Sequence, residues 1–222
     1  MKDVVLKIDK VSYRYADADK DEYVLEDISY EFQKGKTYAI KGKSGSGKTT
    51  LLSLISGLER CREGHIYYKD KDLSKMDLDK YRNTNVGIIF QSYNLLPTLN
   101  AIENVIMSMN ISKLKLSEKQ KKEKALELLK SVGINKQTAK RRILKLSGGE
   151  QQRVAIARSL SYNPDIILAD EPTGNLDSET EQEILNIFKS LAKDENKCII
   201  IVTHSKDIAD GVDIVYELKK AK

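Results

Sequence analysis

Residues 42–49, which read Gly-Lys-Ser-Gly-Ser-Gly-Lys-Thr, constrain the fold of this chain more than any other segment. They match the pattern G-x-x-x-x-G-K-[ST], and periodicity predicts a short strand before them, at 38–40, and a helix after them, at 49–56. Glycines allow backbone N–H groups to turn inward around an anion, and the helix dipole adds positive potential there. The segment therefore predicts a strand–loop–helix unit that binds the phosphates of a nucleoside triphosphate.

Two side chains in this loop have separate predicted roles. Lys48 is expected to reach the β- and γ-phosphates, and Thr49 is expected to place its hydroxyl on Mg²⁺. The other residues of the segment that we expect to contact the nucleotide are Gly42, Ser44, Gly45, Ser46, Gly47 and Thr50. A chance glycine-rich turn is the alternative, and the strand–helix context speaks against it. On its own, the loop indicates only nucleotide binding.

Strands and helices are predicted to alternate along most of the chain. The runs at 166–169 and 198–202 are apolar without interruption, as is typical of strands that are buried on both faces. Further predicted strands are 4–8, 86–90 and 214–218, and further predicted helices are 117–132, 150–160 and 178–191. Residues 92–161 break the alternation and are predicted to be mainly helical. We therefore predict one α/β domain over residues 1–222, with a mainly parallel core sheet and a helical subdomain inserted at about 92–161.

Composition narrows the class of protein. Hydrophobic residues make up 40% of the chain and charged residues 32%, which is typical of a folded globular protein. The sequence has no apolar stretch near the ~20 residues of a membrane span and no signal-peptide layout at its start, so we expect a cytosolic location.

Cys61 and Cys198 are interpreted as reduced thiols. The basic stretch at 113–124 is either a solvated helix face or a surface attracted to anionic lipid headgroups.

Two adjacent acids follow the apolar strand at 166–169. This strand would deliver Asp170 and Glu171 to the carboxyl edge of the sheet, where ligands bind in α/β folds. Asp170 is positioned to hold Mg²⁺, and Glu171 could polarise a water for in-line attack on a γ-phosphate. An ordinary acidic helix start is the alternative. The phosphate loop in the same chain favours the catalytic interpretation.

Residues 146–153, Leu-Ser-Gly-Gly-Glu-Gln-Gln-Arg, supply a second candidate anion site. Ser147, followed by Gly148 and Gly149, opens a predicted helix and provides a hydroxyl, free N–H groups and the positive end of the helix dipole. One nucleotide does not need two such sites in one chain, so we predict that the second site serves a neighbouring copy. A head-to-tail pair with C2 symmetry would hold two nucleoside triphosphates at its interface.

This string resembles the signature sequence of ABC ATPases, and the other motifs of that family occur in order along essentially the whole chain. The resemblance implies that Gln91 senses Mg²⁺ and the attacking water, and that His204 contacts the γ-phosphate. It also implies that Asp177 lies in a loop at the dimer contact. Tyr15 is similar to the aromatic residue that stacks on adenine, and Tyr13 is the competing candidate. The predicted catalytic residues are Glu171, His204 and Gln91, and the predicted metal ligands are Thr49, Gln91 and Asp170.

Two longer strings, at 91–105 and 169–174, narrow the resemblance to a subgroup. They are similar to the ABC ATPases of lipoprotein release, macrolide export and antimicrobial-peptide resistance, a subgroup that includes a cell-division member. The resemblance implies a P-loop NTPase core, a small antiparallel β subdomain and a helical subdomain. It further implies a homodimer in the ATP state that acts with an integral membrane permease, and not with nucleic acid, at the inner face of the cell membrane.

The chain departs from the subgroup at two places. Lys43 stands where proline is frequent, and we expect its side chain to point away from the phosphates. The chain ends soon after Leu218, which predicts that the final strands of the β subdomain are missing. Of the two histidines, only His204 is assigned a role, and His65 is assigned none.

Some interpretations stay open from the sequence. Four apolar residues after Gln91 could form helical-subdomain core or line a groove for a membrane partner, namely Tyr93, Leu95, Leu96 and Leu99. The alternative functions are an ATPase that transmits force or a signal across the membrane without transport, and a soluble ABC ATPase. An uninterrupted cassette argues against the soluble role, because members that act on DNA or ribosomes carry long coiled coils or two such domains. The transported substrate is not indicated.

Overall fold

The computed structural model describes residues 4–15 and 22–221, while residues 1–3, 16–21 and 222 lie outside the description. The strands are β1 (Val4–Tyr13), β2 (Leu25–Gln33), β3 (Thr37–Lys41), β4 (Glu63–Tyr68), β5 (Lys71–Asp72), β6 (Val86–Ile89), β7 (Ile166–Asp170), β8 (Cys198–Thr203) and β9 (Ile214–Glu217). The helices are α1 (Lys48–Ile55), α2 (Leu78–Thr84), α3 (Ala101–Ile111), α4 (Glu118–Ser131), α5 (Gly148–Ser159), α6 (Ser178–Glu195) and α7 (Lys206–Gly211).

A parallel sheet with the strand order β6-β7-β8-β3-β9 forms the centre of the fold. Every residue of β8 is buried, and successive residues of β7 and β8 face opposite sides of the sheet. Ile199 and Ile201 pack with the helical side, whereas Ile200 and Val202 pack with α1 and the antiparallel sheet. Burial on both faces explains the unbroken hydrophobicity of these strands. The predicted α/β fold with a mainly parallel core is therefore confirmed.

A second, antiparallel sheet has the strand order β2-β1-β4-β5 and takes all its described strands from the first part of the chain. Sequence periodicity predicted the first half of β1 and missed β2 and β5. The last described strand, β9, pairs with β3 in the parallel sheet, so it adds nothing to this one.

Between β6 and β7 lie α3, α4 and α5, which pack on one another around a shared apolar core. Each of these helices begins with a capping box. The side chain of the N-cap residue accepts from the backbone N–H three residues later, and the side chain of that later residue accepts from the backbone N–H of the N-cap residue. The box at Ser117 and Gln120 agrees with the predicted start of α4. In the described parts of the chain, each helix is too short or too polar to cross a membrane.

Asp165, just before β7, joins the two sheets at the edge opposite to the phosphate loop. Its carboxylate lies 2.5 Å from Nζ of both Lys34 and Lys69. The hydroxyl of Tyr68, at the end of β4, donates to the same carboxylate. Partial burial raises the pKa of Asp165, but hydrogen bonds from Lys34, Lys69 and Tyr68 outweigh burial and hold the pKa well below its usual range.

Replacing Asp165 with asparagine is expected to lower the free energy of unfolding by about 2 kcal/mol at pH 7, because partly buried lysines lose their carboxylate. Because the folded-state pKa is depressed, the stabilisation is complete above about pH 4 and is lost as pH falls towards that pKa. Urea unfolding at pH 7 and at pH 3 measures both effects.

The control for this prediction is Asp9→Asn, which removes an exposed pair with Lys7 at 3.3 Å. This change should alter the free energy of unfolding by less than about 0.5 kcal/mol. Equal losses for the two variants would show that the junction at Asp165 contributes no more than an ordinary surface pair.

Candidate functional site

The glycine-rich loop connects β3 to α1 at the carboxyl edge of the parallel sheet. Gly47 caps α1 with a φ of 88°, and a Cβ there would lie 2.8 Å from the Leu25 side chain and from the Val24 carbonyl. Only glycine fits this conformation and this close approach. Nζ of Lys48 donates to the carbonyls of Gly42, at 2.9 Å, and Lys43, at 3.1 Å. The lysine is therefore folded over the loop that it is predicted to serve.

Asp170 and Thr49 come from different elements and meet beside this loop. The Thr49 hydroxyl at the start of α1 donates to Oδ2 of Asp170 over 3.3 Å, and Asp170 ends β7. The pKa of Asp170 is raised above its usual value, mainly because the carboxyl group is partly buried and also because the charge of Glu171 lies next to it. The Thr49 hydrogen bond and the charge of Lys48 oppose this rise. A hydroxyl and a carboxylate in contact form an oxygen donor pair of the kind that Mg²⁺ prefers.

Glu171 and His204 are also brought together, from the ends of β7 and β8. Oε2 of Glu171 accepts a hydrogen bond from the His204 backbone N–H at 3.3 Å and lies 2.9 Å from Nδ1 of its ring. The Glu171 side chain is 15% exposed and the His204 side chain 72% exposed. Glu171 has a φ of 45°, which costs a non-glycine residue about 1–2 kcal/mol. Such strain is concentrated at functional sites.

Gln91 follows β6 and completes this group. A Cβ on Gly174 would lie 3.2 Å from the Gln91 amide nitrogen, so the glycine allows the two segments to touch. One cleft, with a volume of about 320 Å³, is lined by Val24, Ser44, Gly45, Gly47, Lys48, Thr49, Thr50, Gln91, Asp170 and Glu171. The structure thus brings together predicted site residues from three separate segments of the chain. Val24 was not predicted, because an apolar residue carries no chemical signal.

The two tyrosines that compete for the adenine position differ in accessibility. Tyr13 is 5% exposed and belongs to the apolar core, whereas Tyr15 is 47% exposed. The Tyr15 hydroxyl shares a hydrogen bond with the Thr50 hydroxyl at 3.0 Å, which places the ring beside α1. A ring that stacks on a base must be accessible, so the structure favours Tyr15.

Ser147, Gly148, Gly149 and Asp177 lie on a different surface. Oγ of Ser147 accepts from the Glu150 N–H at 3.2 Å and caps α5, while Asp177 caps α6 by accepting from the Thr180 N–H at 2.9 Å. A Cβ on Gly149 would lie 2.7 Å from the Thr180 side chain, which joins the two helix starts. None of these four residues lines the cleft as described above. Thr180 was also not predicted.

The remaining expectations concern single residues. Lys43 is exposed, and both cysteines are free. His65 lies 2.8 Å from Asp72, away from the cleft. Of the four apolar residues after Gln91, Tyr93 and Leu95 pack against the helical core, Leu96 is 40% exposed and Leu99 is partly buried.

Curated relatives share this sequence over nearly its whole length. The chain matches the ABC transporter family over residues 25–174. It is 47% identical to the uncharacterised ABC transporter ATP-binding protein YclH of Bacillus subtilis (strain 168), over 97% of this chain and 94% of the relative. It is 42% identical to the lipoprotein-releasing system ATP-binding protein LolD of Francisella tularensis, over 98% of this chain and 95% of the relative.

Solved structures share the fold. A dimeric structure of MJ0796, described as a bacterial ABC transporter cassette, superposes with a TM-score of 0.87 at 36% identity, covering 96% of this chain and 94% of that one. A dimeric post-hydrolysis state of MJ0796 bound to ADP and Pi also gives 0.87, at 34% identity, covering 98% and 97%. The fold and the cleft define an ATPase of the P-loop class. The chain belongs to the ABC transporter family, as the ABC ATPase subunit of a transporter.

Replacing Lys48 with alanine is expected to weaken ATP binding about 10- to 100-fold, because hydrogen bonds to charged groups contribute roughly 1.5–3 kcal/mol. Calorimetric titration with MgATP measures the affinity. Lys43→Ala is the matched control, since it removes an exposed lysine from the same loop and should leave the affinity within about twofold. Equal affinities for the two variants would remove the role assigned to Lys48.

Proposed function

We propose that two copies of this chain close head to tail around two ATP molecules and that this cycle powers a separate membrane subunit. The observation that carries the proposal is the division of the predicted nucleotide contacts into two groups. The cleft holds the residues around Lys48 and Asp170, and the exposed Ser147 and Asp177 lie outside it. A C2 pair would place the second group of each copy over the cleft of the other. The dimeric state of the MJ0796 cassette supports this arrangement.

Within one copy, the residues are assigned as follows. Tyr15 stacks on adenine, Lys48 and the loop N–H groups bind the β- and γ-phosphates, and Glu171 polarises the attacking water. The full set of nucleotide contacts from the loop and α1 is Gly42, Ser44, Gly45, Ser46, Gly47, Lys48, Thr49 and Thr50. From the partner copy, Ser147, Gly148, Gly149 and Asp177 close the site.

The residues present fit a bound Mg²⁺. Thr49 and Asp170 are in contact, and Gln91 lines the same cleft, which therefore offers a hydroxyl, a carboxylate and an amide group. These three residues would hold the ion, because hard cations prefer oxygen ligands. When bound, the ion would neutralise negative charge on the phosphates during transfer.

Glu171 and His204 would change partners as ATP enters. In the structure the exposed His204 ring rests against the Glu171 carboxylate. A γ-phosphate offers the ring a stronger partner, so His204 would move to the phosphate and leave Glu171 free to accept a hydrogen bond from water. Hydrolysis would then remove the group that bridges the two copies, and charge repulsion would open them.

The surroundings of the dimer follow from the same proposal. Residues 1–222 would act as one ABC ATPase domain, peripheral on the cytoplasmic face of the cell membrane, with the helical subdomain at about 92–161. The segment after Gln91 would pass the motion to the membrane permease, and the exposed Leu96 is available for that contact. The likeness to LolD, a lipoprotein-releasing system protein, favours export or extraction of a peptide, drug or lipoprotein.

Replacing Glu171 with glutamine is expected to preserve ATP binding and to give a stable dimer in MgATP, while hydrolysis falls by about 10²–10⁴-fold, as for loss of a general base. Size-exclusion chromatography with light scattering measures the dimer, and phosphate release measures hydrolysis. A variant that stays monomeric in saturating MgATP would contradict the head-to-tail dimer.

Adding Ser147→Arg to the Glu171→Gln variant should prevent dimer formation while leaving ATP binding to the single copy within about twofold, because the bulky cation meets only the partner's nucleotide. Ser190→Arg, on the exposed face of α6, is the matched control and should still allow dimer formation. If both arginine variants dimerise equally, Ser147 does not face the partner's site.

A further inference from the structure

The segment after Gln91 is held in an unfavourable backbone conformation by a residue that the proposed mechanism does not use. Tyr93 and Asn94 have φ angles of 60° and 49°, in the left-handed region. Arg158, near the end of α5, donates from one guanidinium nitrogen to the Tyr93 carbonyl at 2.8 Å and from the other to the Asn94 carbonyl. The two strained residues are therefore the same two that the arginine holds.

The left-handed conformation needs such support. It costs a residue with a Cβ about 1–2 kcal/mol, and Tyr93 has a bulky ring as well. Such a conformation persists only where its surroundings over-determine it. A guanidinium presents its N–H groups in a rigid fork, so Arg158 can satisfy two neighbouring carbonyls at once, whereas an ammonium group acts as a single point.

The ring of Tyr93 lies near the start of α5, the helix that carries Arg158 near its end. Its hydroxyl lies 3.2 Å from the position that a Cβ on Gly148 would occupy, next to Ser147. The Leu176 side chain lies 3.4 Å from that position. A Cβ on Gly174, two residues earlier, would lie 3.2 Å from the Gln91 amide nitrogen. Gln91, Tyr93, the start of α5 and the 174–176 loop therefore lie close together.

We propose that Arg158 is a positioning residue that fixes the segment after Gln91 along α5, so that Gln91 in one cleft and Ser147, presented to the partner's cleft, move together. Arg158 does not touch the nucleotide. It acts through the Tyr93 and Asn94 carbonyls on the relative placement of two groups that belong to different sites. The inference rests on the proposed head-to-tail dimer and adds the residue that couples its two sites.

The test compares Arg158→Gln and Arg158→Lys in the active chain and in the Glu171→Gln variant. Arg158→Gln should lower kcat about tenfold and raise the MgATP concentration needed for dimer formation by a similar factor, the size typical of coupling between sites. ATP affinity of the single copy should stay within about twofold, since Lys48 and Tyr15 are untouched. Arg158→Lys should recover part of kcat, because one carbonyl keeps a donor.

A matched control separates positioning from general stability. Arg82 likewise anchors a helix by donating to a main-chain carbonyl, that of Gly57, and it pairs with Asp79 within α2. Arg82→Gln should lower the melting temperature about as much as Arg158→Gln and leave kcat within about twofold. Equal losses of kcat for the two variants would reduce Arg158 to a structural role.

A double-mutant cycle supplies a second measurement that tolerates partial destabilisation. If Arg158 acts through Tyr93, the loss of kcat in Arg158→Lys combined with Tyr93→Leu will be smaller than the product of the separate losses. If the two separate losses of kcat multiply in the double variant, Arg158 does not act through Tyr93. If the parent Glu171→Gln chain fails to dimerise, the dimer and the inference fall together. If it dimerises, and adding Arg158→Gln changes neither its dimer formation nor the kcat of the otherwise active chain, only the inference is wrong.

Discussion

Parallel pairing of β3, β6, β7 and β8 is the constraint on which the site depends, because it brings the carboxyl ends of four strands to one edge. Gly42, Gln91, Asp170 and His204 each follow or end one of these strands. They lie far apart along the chain, and only the register of the sheet places them side by side. Opposite this edge, the ion pairs of Asp165 with Lys34 and Lys69 join the two sheets.

The core strands and the best-capped helices could be predicted from the sequence because their signals are local. Strands β7 and β8 are buried on both faces, and α4 begins at a capping box. Strand β2 was missed because Leu25 and Phe32 are its only fully buried residues and acidic side chains lie between them. Prediction of β1 stopped early because the register shifts between Ile8 and Val11, where Lys10 has a φ of 51°, and this irregularity breaks the alternation of buried and exposed residues.

In the candidate site too, some residues could be predicted from their motifs, whereas others are identified only by how the chain packs. Lys48, Thr49, Asp170 and Glu171 stand in patterns whose chemistry is readable, and the structure brings them into one cleft. The choice between Tyr13 and Tyr15 depended on burial, which spacing does not give. Arg158 and Thr180 act on main-chain atoms and on a glycine, and the sequence does not show which backbone groups a side chain will reach.

The separation of Ser147 and Asp177 from the cleft has a kinetic consequence. If each copy carries only half of every site, turnover at low concentration depends on encounters between copies and rises with the square of protein concentration. A membrane subunit that holds two copies side by side replaces this encounter with a high effective concentration. Unassembled copies would then consume little ATP, so the fold itself would restrict energy use to the assembled transporter.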